Sequence, residues 1–424
     1  MTLDPVHFDG IARLANRIDT GADDRDHRKF AETVWNDFLD PLTDARGRVI
    51  LEPVDEVTRY RVDREEVALQ EAPFPTVHGL DAGTINPTTF RNGLVLDVAQ
   101  AAMSATPSDL EVHRSRTVVA TVHASDAAAK VDDRWVTFDE GYSRSRAVKI
   151  PPVQRFAEGI VHALALYLAE STHALEHADQ VEDLLLLDGP LYPRRPPRWA
   201  DQHPDLEDFL LEDPRPAAVL ADYIELIETL ADRDIPVVGF VKNPGTSVLT
   251  RALKADAIAA PWPNDAAFFR RVLETGETVS DVDGGTRWRR DTSTIAYTGW
   301  FHSRGGVDRP LSAEGDALGN ERRLDPTAYE VTFFVIYDPR ADLCYRVEAP
   351  ALVTADEEQR RAIARQVLRS VAATAGPPKA IEKADELARI SASEKASLRE
   401  TLETRFETTR DRTYDDHRWG EEGL

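Results

Sequence analysis

A single cysteine, Cys344, stands in 424 residues, so neither an intrachain disulfide nor a cysteine-ligated zinc cluster can form. No run approaches 18 apolar residues, which excludes a membrane-spanning helix. The amino-terminal MTLDPVHFDGIARLANRID lacks the apolar core of a signal peptide. A soluble, cytoplasmic protein with no membrane partner is expected. Lysine is scarce too: 8 of the 51 basic residues, the other 43 being arginine. Against them stand 75 acidic residues, for a net charge of -24 and a pI near 4.9. The basic surface usual in nucleic-acid binders is therefore missing. The carboxylates are spread along the whole chain. We read this as adaptation to high salt inside the cell of a halophile, where the Debye length shrinks to about 3 Å at 1 M. Acidity then reflects the solvent rather than the ligand. Internal repeats and low-complexity segments are also lacking.

What is present is an alternation of helical and strand-like patterns. Phe8, Ile11, Leu14 and Ile18, then Phe30, Val34 and Phe38, recur at helical spacing, and a charged link follows, so 1–74 reads as an amino-terminal helical region and linker. From 75 to 276 three strand-like runs (Val77–Asp81, Gly93–Ala101, Val112–His123) precede a long helical pattern opened by Pro151-Pro152. Two short apolar strands, VEDLLLLD and IPVVGFVK, then alternate with helices, as parallel strands buried on both faces do. Three strands, helix, strand, helix, strand, helix is the ribonuclease-H-like order. The expected fold class is α/β, a ribonuclease-H-like mixed sheet flanked by helices. Residues 277–328 read as an unpatterned insert of Gly, Arg, Asp and Trp. Residues 329–408 read as a hairpin plus carboxy-terminal helices, and 409–424 as a polar tail.

Two apolar strands end on Asp-Gly-type turns: VHGLDAGT with Asp81 and DLLLLDGPLYP with Asp188. Sites in open α/β sheets lie at the carboxyl ends of strands. In a ribonuclease-H-like order these two strands are neighbours, so both carboxylates meet at one edge. Hard divalent ions, Mn²⁺ or Mg²⁺, prefer such oxygens. Taken singly, an Asp before Gly more often just caps a turn. A helical carboxylate would complete the set. Glu158, near the helix start, is preferred, with Glu170 further along in reserve. Asp97 in LVLDVAQ is a less favoured strand carboxylate, and Asp385 in GPPKAIEKADELARIS is a candidate from a late helix. For DNA, Arg194 and Arg195 beside Asp188, Lys242 at a strand end, and Arg289, Arg290 and Trp300 in the insert combine phosphate-binding charge with stacking surface. Arg198, Arg287, Trp288, Phe301, His302 and Arg304 belong to the same basic and aromatic stretches.

HGLDAGT, DLLLLDGPLYP, VVGFVKNP, YRVEAP and GPPKAIEKADELARIS fall in the order and rough spacing of the NurA family of archaeal nucleases, which the chain resembles from about 75 to 400. The resemblance implies a ribonuclease-H-like fold and manganese-dependent cleavage of DNA, as single-strand endonuclease and 5′-to-3′ exonuclease. It also implies a homodimer working with the hexameric HerA translocase on single strands and duplex ends during double-strand-break resection. It assigns Asp81, Asp188 and Glu158 (or Glu170) as metal ligands. The family usually has Gly-Tyr-Pro where this chain has Gly376-Pro377-Pro378, and His where it has Asp385. That departure leaves open a non-catalytic DNA-binding or assembly subunit. A hydrolase of small phosphoesters is a third reading.

Overall fold

The structure, a computed structural model, describes residues 24–412 with 7, 13 and 14, apart from 125, 127, 128, 151, 152, 154, 155, 195–198, 200–203, 256, 257, 259, 281–285 and 312–318. The expected helix starts at Phe8 to Ile18 and at Pro151-Pro152, and the tail beyond 412, lie outside the described residues, Leu14 excepted.

Four consecutive leucines explain the centre of the molecule. Leu184 and Leu186 point to one side of strand β5 (Leu184–Asp188), where they meet Ile363, Val367 and Ile381. Leu185 and Leu187 point to the other side and meet Val219, Leu220 and Ile224. A strand apolar on both faces is stable only between two helical layers. Helices α1 (Ala157–Glu176) and α2 (Pro214–Ala231) form one layer, and α3 (Glu357–Thr374) and α4 (Lys379–Ala388) the other.

The remaining core strands are β1 (Val77–Thr84), β2 (Leu94–Thr106), β3 (Arg116–Ala124), β4 (Ser143–Lys149), β6 (Val237–Val241), β7 (Val331–Asp338) and β8 (Leu343–Pro350). They run β7-β8-β6-β5-β1-β2-β3-β4 across a mixed sheet of 15 described strands. β5 is parallel to β1 and to β6, whereas β2 is antiparallel to β1 and β3, and β8 to β6 and β7.

The structure departs from the sequence expectation at the edges. The run from Val112 starts as a short helix, Leu110–Arg114, before β3. The charged link contains strands Val49–Pro53 and Arg59–Asp63, and the insert contains Thr294–Thr298 and Phe301–Ser303. These segments pair with one another, 49–53 with 301–303 and 59–63 with 294–298, so link and insert share one sheet region. RYRVD hides its strand character because an edge strand needs only one apolar face, and here arginines take the other.

Helix α4 is seated by two glycines of β1. A Cβ on Gly79 would lie 2.3 Å from the Ala380 carbonyl oxygen, and one on Gly83 would lie 2.4 Å from that of Ala388. Both obstacles are backbone, which cannot rotate aside. Gly79→Ala should therefore destabilise the fold by about 3 kcal/mol, read from urea unfolding, because α4 must lift off the sheet. A loss below about 0.5 kcal/mol would contradict this seating.

Candidate functional site

Asp81 and Asp188 are brought together by register. β1 and β5 run parallel with Leu80 beside Leu187, so the next residues, Asp81 and Asp188, sit side by side on strands about 4.8 Å apart. Alternation along β1 turns Asp81 to the face of Gly79 and Gly83, the face that α4 covers. α4 carries Asp385 next to the fully buried Ala384.

Crowding shapes the electrostatics. Burial first, then the charge of Asp188 and that of Asp385, pushes the Asp81 carboxyl up to about 8, against the pull of the Ala82 N–H and Lys242. Asp188 is raised as well, chiefly by burial, with Lys242 opposing. Asp385 adds to that rise, and the hydrogen bond with the Asp81 carboxyl works against it. The Lys242 ammonium lies 2.6 Å from Asp188 Oδ2.

Glu170 approaches from α1 and hydrogen-bonds the Tyr223 hydroxyl at 3.0 Å. Burial and then the nearby Asp81 charge raise it to about 8. Glu158, the preferred helical carboxylate, is elsewhere: it accepts the Thr89 hydroxyl at 2.7 Å, twelve residues or roughly 18 Å up the helix. The reason lies in β2. Asp97, which binds His162 of α1, sits five residues beyond Ala102, the partner of Asp81, so the helix starts past the site and reaches it only near Glu170. Asp97 itself is fully buried and accepts from His162 Nδ1 at 2.7 Å. Asp385 is within electrostatic reach of Asp81 and Asp188 but is ion-paired to Arg389.

The expected DNA contacts separate. Trp300 is core, its ring 4.7 Å from that of Phe334, so it offers no face for a base. Arg194 is drawn inside by Glu348 and Asp308. Arg289 pairs with Glu277 on an exposed hairpin, and Arg290 with Glu274 and Asp342. Arg304 pairs with Glu52 and Glu330. Trp288 remains exposed, stacked under Arg28 at 3.8 Å. Arg195 and Arg198 lie outside the described residues.

A buried quartet beside the site had no forerunner in the sequence reading. Arg346 joins Asp308 at 2.7 Å and Glu348 at 2.7 Å, and Arg194 joins the same two carboxylates. Glu348 also accepts the Leu191 N–H at 3.0 Å. It thereby fixes the loop after Asp188, which lies so close over β6 that a Cβ on Gly239 would meet the Leu191 nitrogen at 2.5 Å. Arg194 was expected to meet DNA, and the alternation of Arg346 and Glu348 in YRVEAP hinted at paired charges inside a strand whose last seven residues are buried.

Among the described residues, no three His, Cys, Asp or Glu side chains converge into a metal cage. The Asp81–Asp188 pair nevertheless fits a hard divalent cation. Both donors are carboxylate oxygens, and part of their charge is offset by the Lys242 ammonium, work that a cation would take over.

A model of the NurA domain matches residues 75–390. No curated protein sequence matches the chain. Among solved structures, the chain is similar to the NurA nuclease from Sulfolobus solfataricus at 12% identity, covering 96% of this chain and 98% of that one, TM-score 0.48. It is also similar to NurA with manganese (11% identity, 80% and 94% covered, TM-score 0.39). A third is NurA bound to dAMP and manganese (11%, 81% and 90%, TM-score 0.40).

Proposed function

Because this chain belongs to the NurA domain family, we propose that it is a divalent-metal-dependent deoxyribonuclease. The observation that carries the reading is the Asp81–Asp188 pair on adjacent parallel strands, both carboxyls raised by burial and by the charge of Asp385. Asp81 and Asp188 would hold Mn²⁺ or Mg²⁺, with Glu170 and Asp385 facing the same charge from α1 and α4. The cation would supply positive charge to offset the negative charge that builds on the phosphoryl oxygens. The chain's own part is to hold the two carboxylates in register and to cover them with α4. It also holds a proton on the Glu170 carboxyl, beside Tyr223.

The finer reading is single-strand endonuclease and 5′-to-3′ exonuclease action in double-strand-break end resection. We place a homodimer there with a HerA-type hexameric translocase, in the cytoplasm of a halophile. The strand order β3-β2-β1-β5-β6 supports a ribonuclease-H-like description of the core, and the charge of -24 supports the high-salt setting. Encirclement of DNA by a ring partner would offset the loss of phosphate contacts in salt.

The Arg389–Asp385 pair and Pro377 in place of tyrosine favour one rival, a DNA-binding subunit without chemistry. A cleavage assay on labelled single-stranded and duplex DNA in multimolar KCl decides. Cutting that requires Mn²⁺ or Mg²⁺ and stops with chelator is expected. Binding without cutting, with and without the translocase, would establish the rival. Cutting of chromogenic phosphoesters alone would establish a small-molecule hydrolase.

A further inference from the structure

Lysine is the uncommon cation in this chain, 8 against 43 arginines, yet the basic side chain that touches Asp188 is a lysine. Lys242 stands one residue past β6. Phe240 is the register partner of Asp188, and two residues on, Lys242 emerges on the same face of the sheet. Its Nζ is 2.6 Å from Asp188 Oδ2, and a third of its side chain is exposed, against 12% for Asp188. The ammonium thus occupies the ground of one carboxylate while its stem keeps a solvent-side path to swing along. An arginine there would fork across both carboxylate oxygens and be hard to displace, whereas an ammonium is a compact point charge on a flexible stem.

We propose that Lys242 is an exchangeable placeholder: it neutralises Asp188 while the pocket is metal-free, yields that carboxylate to the divalent cation, and then pairs with a phosphate of the bound strand. This rests on the nuclease reading above. The charges balance in both states. Without metal, Asp188 and Lys242 cancel. With metal, Asp81 gives up its proton to solvent, the two carboxylates match the two charges of the cation, and the freed ammonium meets one phosphodiester charge. The strand is thereby held only when the metal is in place, which couples substrate grip to readiness for chemistry.

The test measures Mn²⁺ affinity of the full chain without DNA, by the electron-spin signal of free Mn²⁺, and cleavage separately at saturating Mn²⁺. With the competing cation removed, Lys242→Met should bind Mn²⁺ about 10-fold more tightly while cleaving about 100-fold more slowly. Lys242→Arg, which grips Asp188 harder, should bind Mn²⁺ several-fold more weakly. Lys242→Gln gives the same readout should the methionine variant misfold. Unchanged or weakened Mn²⁺ affinity in the neutral variants, or cleavage at the parent rate, would overturn the proposal. Failure of the parent itself to cut DNA would sink the nuclease reading instead, and the affinity comparison would still show whether Lys242 competes with metal.

Discussion

Asp81→Asn is expected to abolish DNA cleavage, by about 1,000-fold or more, and at the same time to make the protein harder to unfold. Both effects come from one cause. The Asp81 carboxyl is held near 8 by burial and by the charges of Asp188 and Asp385. An unfolded chain releases that proton near the ordinary 3.8. Between these values the folded state keeps a proton that the unfolded state gives up, so stability falls as pH rises from about 4 to about 8. Asparagine carries no such cost. Its advantage should be small at pH 4, grow through neutrality and level off above pH 8. A gain of about 2 kcal/mol, a few degrees in Tm, is a fair size, since Asp188 is raised beside it and carries part of the effect. Thermal melts from pH 4 to 9 beside cleavage assays provide the check. A variant that is less stable at pH 8 than its parent, or that still cuts at the parent's rate, would contradict the crowding of carboxylates described here. Gains of stability on removing a site residue are the usual signature of strain retained for function.

Glu348→Gln should have the opposite character, a large loss of stability from an almost isosteric change. Arg194 and Arg346 are held by two carboxylates, Glu348 and Asp308, all four side chains largely withdrawn from water. Burial would push Asp308 up, but Arg346 and Arg194 overcome this and hold it below the usual carboxylate range. Removing one negative charge leaves two guanidinium groups with a single buried partner, at a cost of about 3–5 kcal/mol. Glu277→Gln is the contrast. It breaks the Arg289 pair on the exposed hairpin, where both side chains are more than half exposed, and should change stability by less than about 0.5 kcal/mol. Denaturant titrations of the two variants side by side measure the difference. Equal effects would show that the quartet is no better shielded than a surface pair.

The centre of this fold was legible because its signals are short-range. Four leucines before Asp188, and the apolar run before Lys242, read as strands buried on both faces, and the parallel pairing follows from the helices between them. Choosing between Glu158 and Glu170 needed a length that sequence does not carry. How far β2 overshoots β1 fixes where α1 begins relative to Asp81, and that is set by pairing. The fate of the arginines was hidden for a related reason. Whether Arg194 meets DNA or Glu348 depends on a carboxylate 154 residues away. Trp300 looked like a stacking platform beside arginines, but its neighbours in space are Phe334 and the apolar face of β7. The link and the insert looked featureless because each supplies half of a pairing whose other half lies more than 200 residues along the chain.

The close seating of α4 on Gly79 and Gly83 joins the first and last parts of the fold across some 300 residues. A nascent chain emerging from the ribosome therefore displays Asp81 and Asp188 long before the segment that roofs them has been made. Until that roof arrives, the two acids lack the helix that covers them and the charge of Asp385 that crowds them. The crowding of carboxylates at this edge is therefore complete only once the strand near residue 80 and the helix near residue 385 have both been made.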